Sequence, residues 1–438
     1  MSMTQRLSTH ARRLLRAPQS VTERNTYYLY AEVIFAGFLS AAASFNAAYI
    51  LRLGGSNALV GLMSSLPALV ASLLYLPSAR LLERRTHYMP WVVWSLFLAR
   101  VGYALIALLP WITGRFLPEL TVAILVAINV PSVLFSTGWS PMLSDVIAPR
   151  ARATVLAWRS ILSSATIAPL IFFAGRWLDS TTFPANYQWM YAIGWLGSGV
   201  IGIYLVSRIH VEPQVARTPI DRTRREKGSW LGALRSAEGA QRGFFRIVVN
   251  TLLFNLGAWM VGPLYMIFYV RELQASDGWV GTLGTLAHVG VITGYWLWRR
   301  IVRRIGEARS LLIAAPLTCV HALLVALVPH LGFILFVEFL INVIVAGVNL
   351  SHGVLFLELL PEGRKHSSTA IYSMIMNIGA FVCPLIGVAL ADRIGIVPTL
   401  IIGGAMRLAG ALLFALFPVK QPEPRLRVAQ SSSEGGAT

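Results

Sequence analysis

Apolar residues in this chain gather into runs of about twenty, parted by short polar breaks, and the runs are too uniformly apolar for helices of a water-soluble domain. Runs long enough to cross a hydrocarbon core of roughly 30 Å can be read at 28–50, 58–78, 88–110, 117–140, 158–178 and 188–207, and again at 246–269, 279–298, 310–328, 332–357, 369–390 and 397–418. The pattern predicts twelve transmembrane helices in two sets of six. Residues 1–26 read as a basic tail, 27–208 as the first set, 209–245 as a polar linker, 246–418 as the second set and 419–438 as a disordered tail.

The two sets look like copies. Tyr49 to Val70 is answered by Phe268 to Gly290, with Ser56 over Ser276, Val60 over Val280, Gly61 over Gly281 and Leu66 over Leu286. Pro149 to Arg152 recurs in the same order as Pro361 to Arg364, each time ahead of an apolar helix carrying Pro169 or Pro384. Duplication within a membrane protein points to a path between the halves.

Composition agrees, with 56% hydrophobic and 13% charged residues and a mean hydropathy of +0.64. A net charge of +18 would suggest nucleic acid in a soluble protein, but here the basic residues sort by loop, so no nucleic-acid partner is expected. Even-numbered connections and the tails hold Arg12, Arg80, Arg84, Arg152, Arg224, Arg304, Arg364 and Lys420, whereas odd-numbered ones hold little beyond Arg52, Arg115, Arg271 and Arg393. The positive-inside rule then places both termini in the cytoplasm and the chain in the plasma (cytoplasmic) membrane. Cys319 and Cys383 fall inside spans and read as packing residues. The first apolar run is too long for a signal peptide and reads as a retained helix.

Six spans plus six, a long basic central loop and short basic loops after spans two and eight resemble the major facilitator superfamily. Arg80-Leu81-Leu82-Glu83-Arg84-Arg85 is a degenerate form of that family's loop signature, with Arg303-Arg304-Ile305-Gly306 and Arg309 in the second half. Gly175 to Asp179 and Ala391 to Gly395 resemble diverged forms of the same signature. The family's fourth-span arginine motif is missing. The resemblance implies an all-α fold of two pseudo-symmetric six-helix bundles, a monomer in the bilayer, and a solute cavity between the bundles that opens to alternate sides. It also implies that spans one, four, seven and ten line the cavity.

Those spans carry polar stripes. Glu338, Asn342, Asn349 and His352 share one face of span ten at 100° per residue. Span four repeats the arrangement with Asn129, Ser132, Ser136 and Ser140; span one places Glu32 near Asn46; span seven offers Asn255, Trp259 and Tyr265. Such stripes either line a cavity or bond neighbouring helices.

Charges at mid-membrane cost at least roughly 2.5–3.5 kcal/mol and tend to mark function. Arg100 shares its depth with Asn129 and with no acid of the first set, which leaves it to bind an anionic group of a solute or to rest on carbonyls. Arg407 is expected to pair with Glu338, as a structural ion pair or around a protonation site. Glu32, counted from the start of its apolar run, lies about one turn inside the cytoplasmic edge, within reach of a coupling proton. His288 and His321 are candidate proton relays or simply hydrogen-bonded. Asp145 beside Arg152, and Glu358 beside Arg364, are placed to form a cytoplasmic latch with loop arginines such as Arg84 and Arg304.

No phosphate-binding loop, zinc spacing or nucleophile elbow appears, so no cofactor, pump or enzyme chemistry is expected. The reading is a secondary transporter of a small organic solute, coupled to protons. Its rivals are a non-transporting receptor or assembly protein of the same fold, and a lipid flippase or scramblase.

Overall fold

The computed structural model describes residues 20–83, 85, 87–147, 151–211, 240–360 and 365–416. Eleven stretches among them are long and apolar enough to cross a membrane: Val21–Arg52, Asn57–Leu82, Met89–Ile112, Leu117–Leu143, Thr154–Ser180, Ala185–Ser207, Gly243–Glu272, Glu307–Leu327, Leu331–Glu358, Ile371–Ile394 and Ile396–Leu416. The helix Asp277–Ile305 takes the eighth place in the order and completes the twelve. It is less apolar because its sides serve protein contacts: it packs on span five and on span ten, along glycines such as Gly281, Gly284, Gly290 and Gly294. Trp94, Trp111, Phe173, Trp296, Leu340 and Ile386 are among many large apolar side chains left exposed, as a lipid-facing surface requires.

The helices alternate in direction, so the structure has a near end, where the described chain begins and ends each set, and a far end built of short turns. Within the first bundle span one packs on five and six, and span two on four. Within the second, span seven packs on eleven and twelve, and span nine on ten and twelve. The bundles meet where span two packs on eleven and span five on eight.

The hydrophobic core divides unequally. One cluster runs through both bundles at the far end, joining Tyr49, Val60, Ile171 and Leu178 to Val261, Phe268, Val280 and Val388. Toward the near end it splits into a cluster of the first bundle alone, around Leu29, Val92 and Met142, and one of the second alone, around Phe254, Leu311 and Leu355.

Three local features position the site. The first helix starts at Val21, ahead of the apolar run, because Ser20 accepts the backbone N–H of Glu23 at 3.1 Å and caps the end. Span one then breaks between Ala43 and Asn46, below Ser40 and Ser44, whose hydroxyls bond back to the carbonyls of Ala36 and Ser40 at 3.1 and 3.0 Å. Span four breaks at Ile128 because Pro131 has no N–H for the carbonyl of Ala127. Asn129 and Ser132 take up neighbouring carbonyls, those of Leu125 at 2.7 Å and Ile128 at 2.6 Å.

Candidate substrate cavity and inter-bundle seal

The two helix breaks face one chamber of about 540 Å³ in the first bundle. Spans one to four enclose it, and its polar lining comes from Ser44, Asn46, Arg100, Tyr103, Asn129 and Ser132. The break of span four can sit against span three because Gly102 leaves no side chain against Ile128; a Cβ there would lie 2.0 Å from the Ile128 methyl. Asn46 accepts the hydroxyl of Tyr191 at 3.0 Å and reaches Tyr103 at 3.5 Å, closing the far side of the chamber. Ser136 bonds the carbonyl of Val133 in its own helix and is not among the lining residues.

Arg100 is where the structure departs most from the sequence reading. It has an acid partner: its Nη2 lies 3.0 Å from Oε1 of Glu32, and its Nη1 donates to the carbonyl of Ser198 at 2.5 Å. Arg159 holds the other oxygen of the same carboxylate, Nη2 to Oε2, at 3.1 Å. The side chains of Glu32, Arg100 and Arg159 are only 4%, 8% and 14% exposed. Glu32 is therefore not an edge residue. Counted from the true helix start at Val21 it lies roughly 16 Å deep, level with Arg100 counted from Met89. Arg159 escaped notice because it sits next to the edge of its apolar run. Its guanidinium lies 4.8 Å over the ring of Trp139.

In the second bundle the expected pair of Arg407 with Glu338 does not form. Glu338 Oε2 lies 3.3 Å from Nε2 of His321, and its Oε1 accepts Asn342 at 2.8 Å. The reason is depth: His321 and Glu338 both stand roughly 10 Å from the far end of their helices, whereas Arg407 is roughly 6 Å deeper. Arg407 instead lies 4.7 Å over the ring of Phe254, with its Nε buried and unbonded. The imidazole of His321 also stacks on Tyr265 at 4.6 Å. His288 bonds the carbonyl of Gly284 in its own helix, at 2.9 Å. His352 meets Thr251 at 2.8 Å, and Asn349 is exposed. Trp259 packs where Gly379 leaves room, and Asn255 is half-buried.

Among the described residues, polar contacts between the bundles gather at the far end, around the repeated segments. Arg52 of the first bundle lies 3.5 Å from Asp277 and donates to the carbonyl of Ala275 at 2.6 Å. Arg271 of the second donates to Asn57 Oδ1 at 2.6 Å and to the carbonyl of Gly55. Asn57 also donates to Asp392 at 2.8 Å, and Ser276 to Asp179 at 2.8 Å. The arginines and their partners occupy matching places in the two repeats, so each repeat grips the other. Below them spans five and eight touch backbone to backbone: a Cβ on Gly281 would lie 2.7 Å from the Ile171 carbonyl and 3.0 Å from Gly175 Cα. Thr285 donates to the carbonyl of Ala168 at 2.9 Å, one turn further in.

At the near end Asp145 accepts the hydroxyl of Tyr88 at 2.9 Å, and Arg152 donates to the carbonyl of Ile147 at 3.1 Å, both within the first bundle. Glu358 and Arg304 are exposed. Arg84 and Arg364 lie outside the described residues.

The sequence profile of the Major Facilitator Superfamily matches residues 247–435. The second set of six spans thus matches that superfamily's profile. No match is found among curated protein sequences. Among solved structures the fold is similar to a bacterial homologue of the iron transporter ferroportin in an inward-facing state, with TM-score 0.69 at 17% identity over 91% of this chain and 99% of that one. It is similar to a POT family transporter in complex with 5-aminolevulinic acid, with TM-score 0.70 at 11% identity over 90% and 96% of the two chains. The inward-open xylose transporter XylE from E. coli gives TM-score 0.63 at 14% identity over 94% and 98%. The profile match and the shared fold support a secondary transporter of small solutes rather than an enzyme.

Proposed function

We propose that this transporter carries a small organic solute by alternating access coupled to protons, in the cytoplasmic membrane with both termini in the cytoplasm. On this reading the near end is the cytoplasmic side and the conformation is inward-facing. The observation that carries it is the division of the core, fused through both bundles at the far end and separate in each bundle toward the near end. The seal of Arg52 and Arg271 lies at the fused end, and the basic loops lie at the other. The chamber at the breaks of spans one and four is the solute site, with the polar groups of both breaks to bind it. Glu32 and Glu338 are the proton carriers this reading offers.

The test is flux into proteoliposomes under an imposed pH gradient, with a panel of organic anions, lipophilic cations and neutral solutes. Accumulation of at least one solute that collapses with the gradient is expected, together with uncoupling in Glu32→Gln or Glu338→Gln. If folded protein moves no solute of the panel, transport of a soluble substrate is wrong; redistribution of labelled lipid would then make it a flippase.

A further inference from the structure

Two guanidiniums share one carboxylate in the first bundle, and that imbalance says what the solute brings. Arg100 and Arg159 each take one oxygen of Glu32, at 3.0 and 3.1 Å, and an arginine keeps its charge in proteins. The cluster therefore carries one net positive charge at mid-membrane depth, where charge is costly. Among the described residues of the first bundle no second carboxylate stands at that level: Glu23, Glu83 and Asp145 are near one end, and Glu119 and Asp179 are near the other. The remaining neighbours cannot neutralise it. Span six contributes the Ser198 carbonyl, span four the ring of Trp139, and span one the hydroxyl of Tyr30, which is buried without a hydrogen bond. One nitrogen of Arg159, Nη1, is likewise buried and unbonded. Arg100 meanwhile forms part of the chamber wall, beside Asn46, Asn129 and Ser132.

We infer that the solute carries an oxyanion, a carboxylate or a phosphate ester, that lodges in the chamber against Arg100, and that Glu32 is the internal counter-ion with which it shares the two arginines. This inference rests on the transporter reading. An anion at Arg100 brings the cluster to neutrality, and the polar lining supplies further donors. Protonation of Glu32 loosens its grip on both arginines and leaves two unbalanced positive charges, so a proton and the anion favour each other's binding by the same factor. The charged groups that face Glu32 are Arg100 from span three and Arg159 from span five, and Tyr30 lies by Arg159. The proton enters as the neutral carboxylic acid of Glu32 and leaves when the anion has gone.

The experiment pairs binding with flux on the full chain. Thermal stabilisation in detergent is measured with benzoate, citrate, glycerol 3-phosphate and inorganic phosphate, and with benzamide and glycerol as neutral counterparts; flux of the same solutes is followed in proteoliposomes, beside a set of neutral and cationic ones. At least one anion is expected to stabilise the protein where its neutral counterpart does not, and to bind more tightly as pH falls. Arg100→Gln is expected to weaken that anion about ten- to a hundredfold, the worth of a charged hydrogen bond. Glu32→Gln is expected to keep anion binding and lose its pH dependence. Arg159→Gln, which leaves Arg100 with its acid, separates loss of charge from loss of folding and is expected to weaken the anion less than Arg100→Gln does. Carboxylate and phosphate arms distinguish the two sources of oxyanion. If a neutral or cationic solute drives flux while no anion binds, or if Arg100→Gln leaves anion affinity unchanged, the anion inference is wrong and the transporter reading stands. If folded protein binds nothing and moves nothing, both fall.

Discussion

Arg271 donates to the side-chain oxygen of Asn57 at 2.6 Å across the boundary between the bundles, and Arg52 answers it from the other side through Asp277 and Ala275. The two arginines stand at matching points of an internal repeat. The seal is thus a symmetric device assembled from one duplicated segment.

Removing half of it should unbalance the cycle. Arg271→Ala deletes two side-chain bonds at roughly 0.5–1.5 kcal/mol each, so the far end should open severalfold more often. Labelling of a cysteine placed at Ser44, in the chamber, by a membrane-impermeant maleimide added at the far side measures this. Unchanged labelling would mean that the shared apolar core alone holds the end shut.

Spans five and eight lack room for a side chain at their crossing. Gly281→Leu should push Ile171 and Gly175 of span five away from span eight, costing about 1–3 kcal/mol for overpacking and populating a state with the far end spread. Spin-label distances across that end should lengthen, and solute uptake should fall. A distance distribution like that of wild type would contradict the crossing described above.

Glu32 should matter more for stability than either arginine alone. Glu32→Ala leaves two guanidiniums buried without an acid, and breaking a buried pair in this way costs about 3–5 kcal/mol; Arg159→Gln, which leaves the Arg100 pair intact, should cost less. Midpoints of thermal unfolding in the same detergent compare them. Equal midpoints would mean that water reaches the cluster and screens it.

His321 and Glu338 form the corresponding test in the second bundle. His321→Phe keeps a ring against Tyr265 but removes one of the two partners of the carboxylate, so a loss of about 1–3 kcal/mol is expected. If Glu32 is the proton carrier, Glu338→Gln should retain accumulation driven by a pH gradient within about twofold of wild type, while Glu32→Gln loses it; tenfold in rate corresponds to only about 1.4 kcal/mol. The reverse result would move the coupling proton to the second bundle.

The spans, their duplication and the polar lining from spans one and four were legible in the sequence because apolar length and helical periodicity record them directly. The Glu32 cluster was not. Its level depends on where the first helix begins, and that is set by the Ser20 cap, hidden in a polar stretch, rather than by the start of the apolar run. The same counting from helix ends would have set Glu338 against His321 instead of Arg407. The seal was missed for a different reason. Charge drew attention to the basic loops, whereas three of the far-end contacts run from arginines to carbonyls or to an amide, partners that no charge pattern reveals. The duplicated segments themselves were the signal, since Arg52 and Arg271 lie within them.

The bare crossing of spans five and eight has a mechanical consequence. Interdigitated side chains must change rotamer before two helices can roll on each other, whereas glycine faces have few side chains to unlock. Gly175, Gly278 and Gly281 thus act as a bearing. The bundles can tilt about it while staying in touch, so the barrier to turnover falls on the arginine contacts around its rim and on the charges that the solute must neutralise, rather than on the axle itself.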